Sequence, residues 1–127
     1  SNTNMKKYAL PLAVVVLIVA GVAWLVMLPE KKGAYDEFAA CLGEKGATFY
    51  GTFWCPYCKS QKALFGRSAK LLPYVECSTP DGKGQLPLCK EKGVTTYPMW
   101  EFASTERLTG VISLETLAEK TSCSLPQ

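Results

Sequence analysis

Between Tyr8 and Leu28 the chain carries no charged residue. At about 1.5 Å per residue, a helix of that length crosses the roughly 30 Å hydrocarbon layer of a bilayer. A stretch of this kind takes itself out of any soluble core, leaving about a hundred residues, enough for one compact domain and no second. Lys6 and Lys7 precede the run and Glu30, Lys31 and Lys32 follow it, so the count of positive charges hardly distinguishes its two sides. Cysteine usage tips the balance. Six cysteines among 127 residues, an even number, suit an oxidising compartment better than a reducing cytosol. The expected layout is N-in, C-out: a short cytoplasmic segment over 1–7, a signal-anchor helix over 8–28, a linker over 29–34 and an extracytoplasmic domain over 35–127. Ser1 to Asn4 can be read as an expression remnant ahead of a natural start at Met5. Pro11 is expected near the helix start, where its missing N–H costs least. The competing reading is a cleaved signal peptide with Gly21 and Ala23 before the cut, although the run continues through Trp24 to Leu28, beyond a usual signal core.

The formal charge of +3 is small, and bases alternate with acids, as in Glu44-Lys45 and Lys90-Glu91-Lys92. No basic stripe for nucleic acid stands out, and these charges read as solvated faces. Histidine is absent. That removes the usual general base, the commonest zinc ligand and any Cys-His nucleophilic pair. The chemistry left is that of sulfur.

After the linker, Tyr35, Phe38, Ala39 and Leu42 fall at helical spacing, closed by Gly43 or Gly46. Ala47 to Trp54 is rich in aromatic and β-favouring residues and predicts a buried strand running into Cys55. Pro56 suits the first turn of a helix expected through Leu64, Phe65 and Leu71 to about Leu72. A short strand over Tyr74–Cys77, turn chemistry at Thr79-Pro80-Asp81-Gly82 and a helix over Gln85–Lys92 stopped by Gly93 follow. Met99–Phe102 and Arg107–Gly110 predict a hairpin, and Ser113 caps a last helix through Leu114, Leu117 and Ala118, with Glu115 in its first turn. The order helix, β, α, β, α, β, β, α makes an α/β domain with a mixed sheet.

The chemical signal is Cys55-Pro56-Tyr57-Cys58 at the junction of strand and helix. A sulfur at a helix start meets free N–H groups and the positive end of the helix dipole, which favour a thiolate and mark Cys55 as the nucleophile. Cys58, one turn on, can close a disulfide with it and resolve a mixed disulfide formed with a partner. Lys59 and Lys62 add positive charge nearby, a weak signal for long side chains in water. Two plainer readings compete. The pair can be half of a zinc site, but Cys77 and Cys89 are spaced more widely than a usual second knuckle. It can be a structural disulfide, but so small a loop constrains the unfolded chain little.

The segments FYGTFWCPYCKSQK (49–62), YVECSTPDGKGQ (74–85), Cys89 and TTYPMWEF (95–102) resemble the thioredoxin superfamily. Within it they look like the thioredoxin-like domain fused to, or partnered with, bacterial and plant homologues of vitamin K epoxide reductase. The resemblance covers most of Phe38 to Thr121. It implies a thioredoxin-like fold, a central mixed sheet flanked by helices, here behind one transmembrane helix. It also implies an oxidase- or isomerase-type protein thiol-disulfide oxidoreductase of oxidative folding, taking electrons from the cysteines of substrate proteins and passing them to a membrane enzyme. No bound cofactor is implied beyond the redox-active disulfide, since the quinone is met only through that partner, and no metal is expected. Cys55 is then the attacking and Cys58 the resolving cysteine, with Pro98 as a cis-proline facing them. Tyr97 before it would present its backbone to a substrate strand. Trp54, Pro56 and Tyr57 form the expected substrate-binding surface around an exposed sulfur, with plain packing as the alternative for Trp54 and Tyr57. The match has departures: no histidine inside the motif, no clear glutathione-binding signature, and Phe49 where many thioredoxins bury an aspartate. The proton acceptor for Cys58 and the direction of electron flow stay open, with a tethered reductase or a metal-binding or interaction module as alternatives.

For the other cysteines, the resemblance supports a Cys77–Cys89 bridge clamping the Ser78–Leu88 loop, for about 2 to 4 kcal/mol by loop entropy; a second relay pair is the alternative. Cys41 lies near the end of the first helix of the domain and Cys123 after the last, and a thioredoxin-like layout puts these ends on opposite faces. Their bridge needs Cα atoms within about 7 Å and a tail that wraps around. It is the favoured pairing, against free thiols or an intermolecular link.

Overall fold

The structure, a computed structural model, describes residues 2–127; Ser1, part of the expected N-terminal segment, lies outside the described residues. The chain divides into two units between Lys31 and Lys32. The first is α1 (Asn2–Met27), with its side chains from Thr3 to Met27 exposed. It is long and apolar enough to cross a membrane, a property shared by anchors and signal sequences. The helix starts earlier than expected, because Met5, Lys6, Lys7, Ala9 and Leu10 are good helix formers and carry it back past the lysines. Pro11 therefore sits inside the helix, not in its first turn.

In the second unit, α2 (Asp36–Glu44) buries Phe38, Ala39 and Leu42 along one stripe, with Asp36 and Glu37 in its first turn. A four-stranded mixed sheet follows, ordered β2-β1-β3-β4. Its strands are β1 (Thr48–Gly51), β2 (Tyr74–Glu76), β3 (Met99–Glu101) and β4 (Arg107–Thr109). β1 pairs parallel with β2 and antiparallel with β3, and β3 pairs antiparallel with β4. Alternation along β1 sends Phe49 to one face and Tyr50 to the other. Phe49 stacks on Trp100 at 4.9 Å within the main core, beside Phe38, Leu42, Phe65 and Leu117. Tyr50 joins Val94, Met99 and the Cys77–Cys89 pair in a second cluster.

Two helices are shorter than expected, for local reasons. After Cys55, α3 (Pro56–Ala63) ends early, and a 3-10 turn over Gly66–Leu71 replaces its last part. Gly66 stands at φ +54°, a conformation an α-helix cannot continue through. In α4 (Pro87–Glu91), Pro87 takes the first position, and Gln85 is left outside to donate its amide to Val94 O at 2.6 Å and Tyr97 Oη at 2.8 Å. α5 (Leu114–Thr121) is capped by Ser113 Oγ, which accepts from Thr116 N at 3.2 Å. The strands stop short of their expected ends, β1 at Gly51 and β2 at Glu76.

Both remaining cysteine pairs are bonded. Cys77 and Cys89 have Cα atoms 5.6 Å apart, and Cys41 and Cys123 6.0 Å apart. The tail makes the second bridge through Ser122, whose left-handed conformation (φ 61°, ψ 22°) ends α5 and turns Cys123 into the main core. Gln61 ties α3 to β3 and to the segment before α5. Its Oε1 accepts from Trp100 Nε1 at 3.1 Å and Ile112 N at 2.7 Å, and its Nε2 donates to Ile112 O at 3.0 Å. A fully buried amide is tolerable here because both of its ends are engaged.

Candidate functional site

β1 delivers the chain through Thr52, Phe53 and Trp54 to Cys55, which is the N-cap of α3. Cys55 is extended (φ −77°, ψ 118°), and Pro56 follows at the first helical position, where its fixed φ suits the turn. Cys58 N–H donates to Cys55 Sγ at 3.3 Å, so the first sulfur takes the place of the oxygen a serine or aspartate cap would supply. Both cysteines are free thiols. Cys55 Sγ also lies 3.8 Å from the carbonyl oxygen of Tyr97. The Tyr97–Pro98 bond is cis. Cys55 thus meets both Cys58 and Tyr97, the latter some forty residues further along the chain and followed by the cis Pro98.

The expectation of an exposed nucleophile needs correction. Cys55 is only 4% exposed, and Cys58 1%. Tyr97 leans over the first sulfur through its carbonyl and meets Trp54 edge-on with ring centres 6.2 Å apart. Around this lid the surface is apolar: Tyr57 is 66% exposed, while Phe53 and Trp54 are each about half exposed. Trp54 is fixed from behind by donating its Nε1 to Ser78 Oγ at 3.0 Å. Pro56 is exposed beside Tyr57.

Cys58 lies deeper, and its thiol is pushed up to about 12, first by burial and then by its hydrogen bond with Cys55. The backbone of Thr52 and the charge of Lys62 oppose that rise. In the dithiol state Cys58 therefore keeps its proton at neutral pH. Gly51 leaves the space the pair needs. A Cβ there would stand 3.0 Å from Cys58 Sγ and 2.9 Å from Tyr74 Cε2. Tyr74 is also pushed above the usual tyrosine range, by burial first and then by the Glu76 carboxylate that accepts from its hydroxyl at 3.1 Å. Beside the pair, the Thr52 hydroxyl is buried with no hydrogen-bond partner among the described residues.

Cys77 and Cys89, which a four-cysteine zinc site would need, are spent on each other. Among the described residues no group of three or more histidine, cysteine, aspartate or glutamate side chains is arranged to hold a metal. The arrangement can carry out dithiol–disulfide exchange: a first sulfur at a helix start, a second one turn away, and a backbone carbonyl beside the first. Gln85 and Tyr74 complete the surroundings without having been singled out, and Lys62, read in the sequence only as a nearby charge, joins them. For Lys62 the signal was its place four residues after Cys58, on the same helix face.

No family model matches the chain. It is similar to a protein of Arabidopsis thaliana named "Thiol-disulfide oxidoreductase LTO1", with 45% identity over an alignment of 91 residues that covers 68% of this chain and 24% of that relative. The chain thus corresponds to about a quarter of the relative's length.

Proposed function

We propose that the chain is a thiol-disulfide oxidoreductase carried on a thioredoxin-like domain, with Cys55 as attacking and Cys58 as resolving sulfur. The observation that carries this is the Cys55 cap: one sulfur at the start of α3 accepts the N–H of the second cysteine and faces the Tyr97 carbonyl. The name of the similar Arabidopsis protein supports the same chemistry. In the fuller form of the proposal, α1 anchors the domain N-in and C-out, so that it works in a periplasm, at a cell exterior or in an equivalent of the thylakoid lumen. There it oxidises cysteines of folding proteins and hands the electrons to a membrane enzyme resembling vitamin K epoxide reductase, which alone meets the quinone. Sharing a membrane with that enzyme raises the effective concentration of the two partners, so their contact need not be tight. Trp54, Pro56 and Tyr57 dock the substrate, and Tyr97 pairs with its backbone.

Mixing the oxidised full chain in detergent with a reduced, unfolded client tests the direction. The expected outcome is client disulfides matched one for one by chains with reduced Cys55 and Cys58, counted by thiol alkylation and intact mass. A client that stays reduced, while the reduced chain readily opens client disulfides, reverses the flow and makes the protein a tethered reductase.

A further inference from the structure

The two lysines that follow the cysteine pair are not equivalent. Lys59 is exposed. Lys62 is half-buried and lies on the Cys58 face of α3, with its Nζ 3.7 Å from the centre of the Tyr74 ring. That ring is in turn a neighbour of Cys58 Sγ across Gly51, since a Cβ on this glycine would touch both. The hydroxyl end of Tyr74 is held by Glu76 Oε1, while Glu76 Oε2 accepts from Ser78 N at 3.1 Å. The ring is therefore fixed at one end and forms a seat for the ammonium at its face.

We propose that Lys62, seated on Tyr74, is a positioning residue for the second half of disulfide exchange: its ammonium stabilises the Cys58 sulfur in its thiolate form. The inference rests on the exchange reading above. When a partner thiolate attacks Cys55, the Cys55–Cys58 bond breaks, its electron pair leaves on Cys58 sulfur, and a new bond joins Cys55 to the partner. In the reverse step Cys58 releases its proton to water and attacks Cys55. The internal bond forms and the partner's sulfur departs with the electron pair of the broken one. Both directions pass through a Cys58 thiolate inside a buried setting, where an unbalanced charge is costly. The groups around it are Cys55 and Lys62 on α3, the Thr52 backbone, and Tyr74 with Glu76 on β2. Of these only Lys62 carries positive charge, and the charge of Glu76 is engaged by Tyr74 and Ser78. The Lys62 charge also lowers the Cys58 pKa against the effect of burial.

The test uses the reduced full chain in detergent and a nitrothiobenzoate disulfide, with release of the coloured thiolate followed by stopped flow. Attack by Cys55 releases the first equivalent, and attack by Cys58 on the mixed disulfide releases the second. In Lys62→Met the second phase is expected to slow about threefold. Without the ammonium the Cys58 pKa rises, so less of its thiolate is present, and the higher nucleophilicity of the remainder offsets part of that loss. The first phase stays unchanged, Lys62→Arg restores the second, and Lys59→Met leaves both as they were. Equal second phases in Lys62→Met and the unaltered chain overturn the assignment, as does equal slowing in Lys59→Met. Slowing of the first phase in both Lys62→Met and Lys62→Gln overturns it too, because the residue then acts through folding. Absence of any second release from the unaltered chain overturns the exchange reading itself.

Discussion

Replacing Cys55 with serine is expected to bring exchange down to background, while replacing Cys58 with serine leaves the first attack intact and freezes it as a mixed disulfide on Cys55. The asymmetry follows from where the two sulfurs sit. Cys55 caps the helix and lies beside the Tyr97 carbonyl, at the edge of an apolar surface that a partner segment can reach. Cys58 is 1% exposed, and burial, the first cause of its raised thiol, remains when Cys55 is replaced, so on its own it is neither accessible nor readily deprotonated. The other four cysteines are paired and offer no substitute. Incubating each variant with a disulfide-bearing peptide and weighing the intact chain reads the result directly. Cys58→Ser gains the mass of one peptide half, located on Cys55 by digestion, and Cys55→Ser gains none. A peptide adduct on Cys58 in the Cys55→Ser chain would contradict the assignment of roles.

The second large effect is on stability. Removing the Cys41–Cys123 bridge as a pair of alanines frees a loop spanning 82 residues of sequence separation. By chain entropy that costs about 4.5 kcal/mol at 25 °C. The Cys77–Cys89 bridge spans a separation of only 12. It should cost less, about 2.8 kcal/mol by the same relation. Both bridges pack into apolar clusters, one with Cys123 buried and Cys41 partly buried beside Phe38, Leu42 and Leu117, the other buried beside Tyr50, Val94 and Met99. Urea unfolding of the two double variants, compared at unchanged m-value, measures the order. A larger loss from Cys77→Ala/Cys89→Ala would mean that local packing, not loop closure, governs these bridges. The same variants separate structure from redox chemistry. A chain lacking Cys77 and Cys89 that stays folded should still exchange thiols at Cys55, and loss of exchange in a folded variant would make that pair a relay.

Much of this arrangement is legible in the sequence where one residue decides one local event. Pro56 after a β-favouring run puts Cys55 at a helix start, Ser113 marks the cap of α5, and Gly93 ends α4. Legibility fails where the deciding quantity is a dihedral angle or a distant partner. Leu64, Phe65 and Leu71 keep helical spacing straight across Gly66, and apolar spacing carries no sign of the positive φ that ends the helix there. Gln61 reads as one more polar residue on α3, because its partners Trp100 and Ile112 are far away along the chain. The wrap that brings Cys123 to Cys41 depends on a left-handed Ser122, which is not among the residues that usually announce that conformation. Lys59 and Lys62 look alike as charges in the sequence. The i+4 spacing to Cys58 singles out Lys62, but the Tyr74 ring that seats its ammonium is set by the fold.

The most direct test of the central claim is a redox titration of Cys55 and Cys58 in the full chain, equilibrated in detergent with glutathione buffers and read by alkylation and intact mass. The account predicts one two-electron transition confined to this pair, with a midpoint between about −120 and −200 mV. A midpoint near about −270 mV would contradict the oxidising direction, and a pair that never changes state across the series would contradict thiol–disulfide exchange itself.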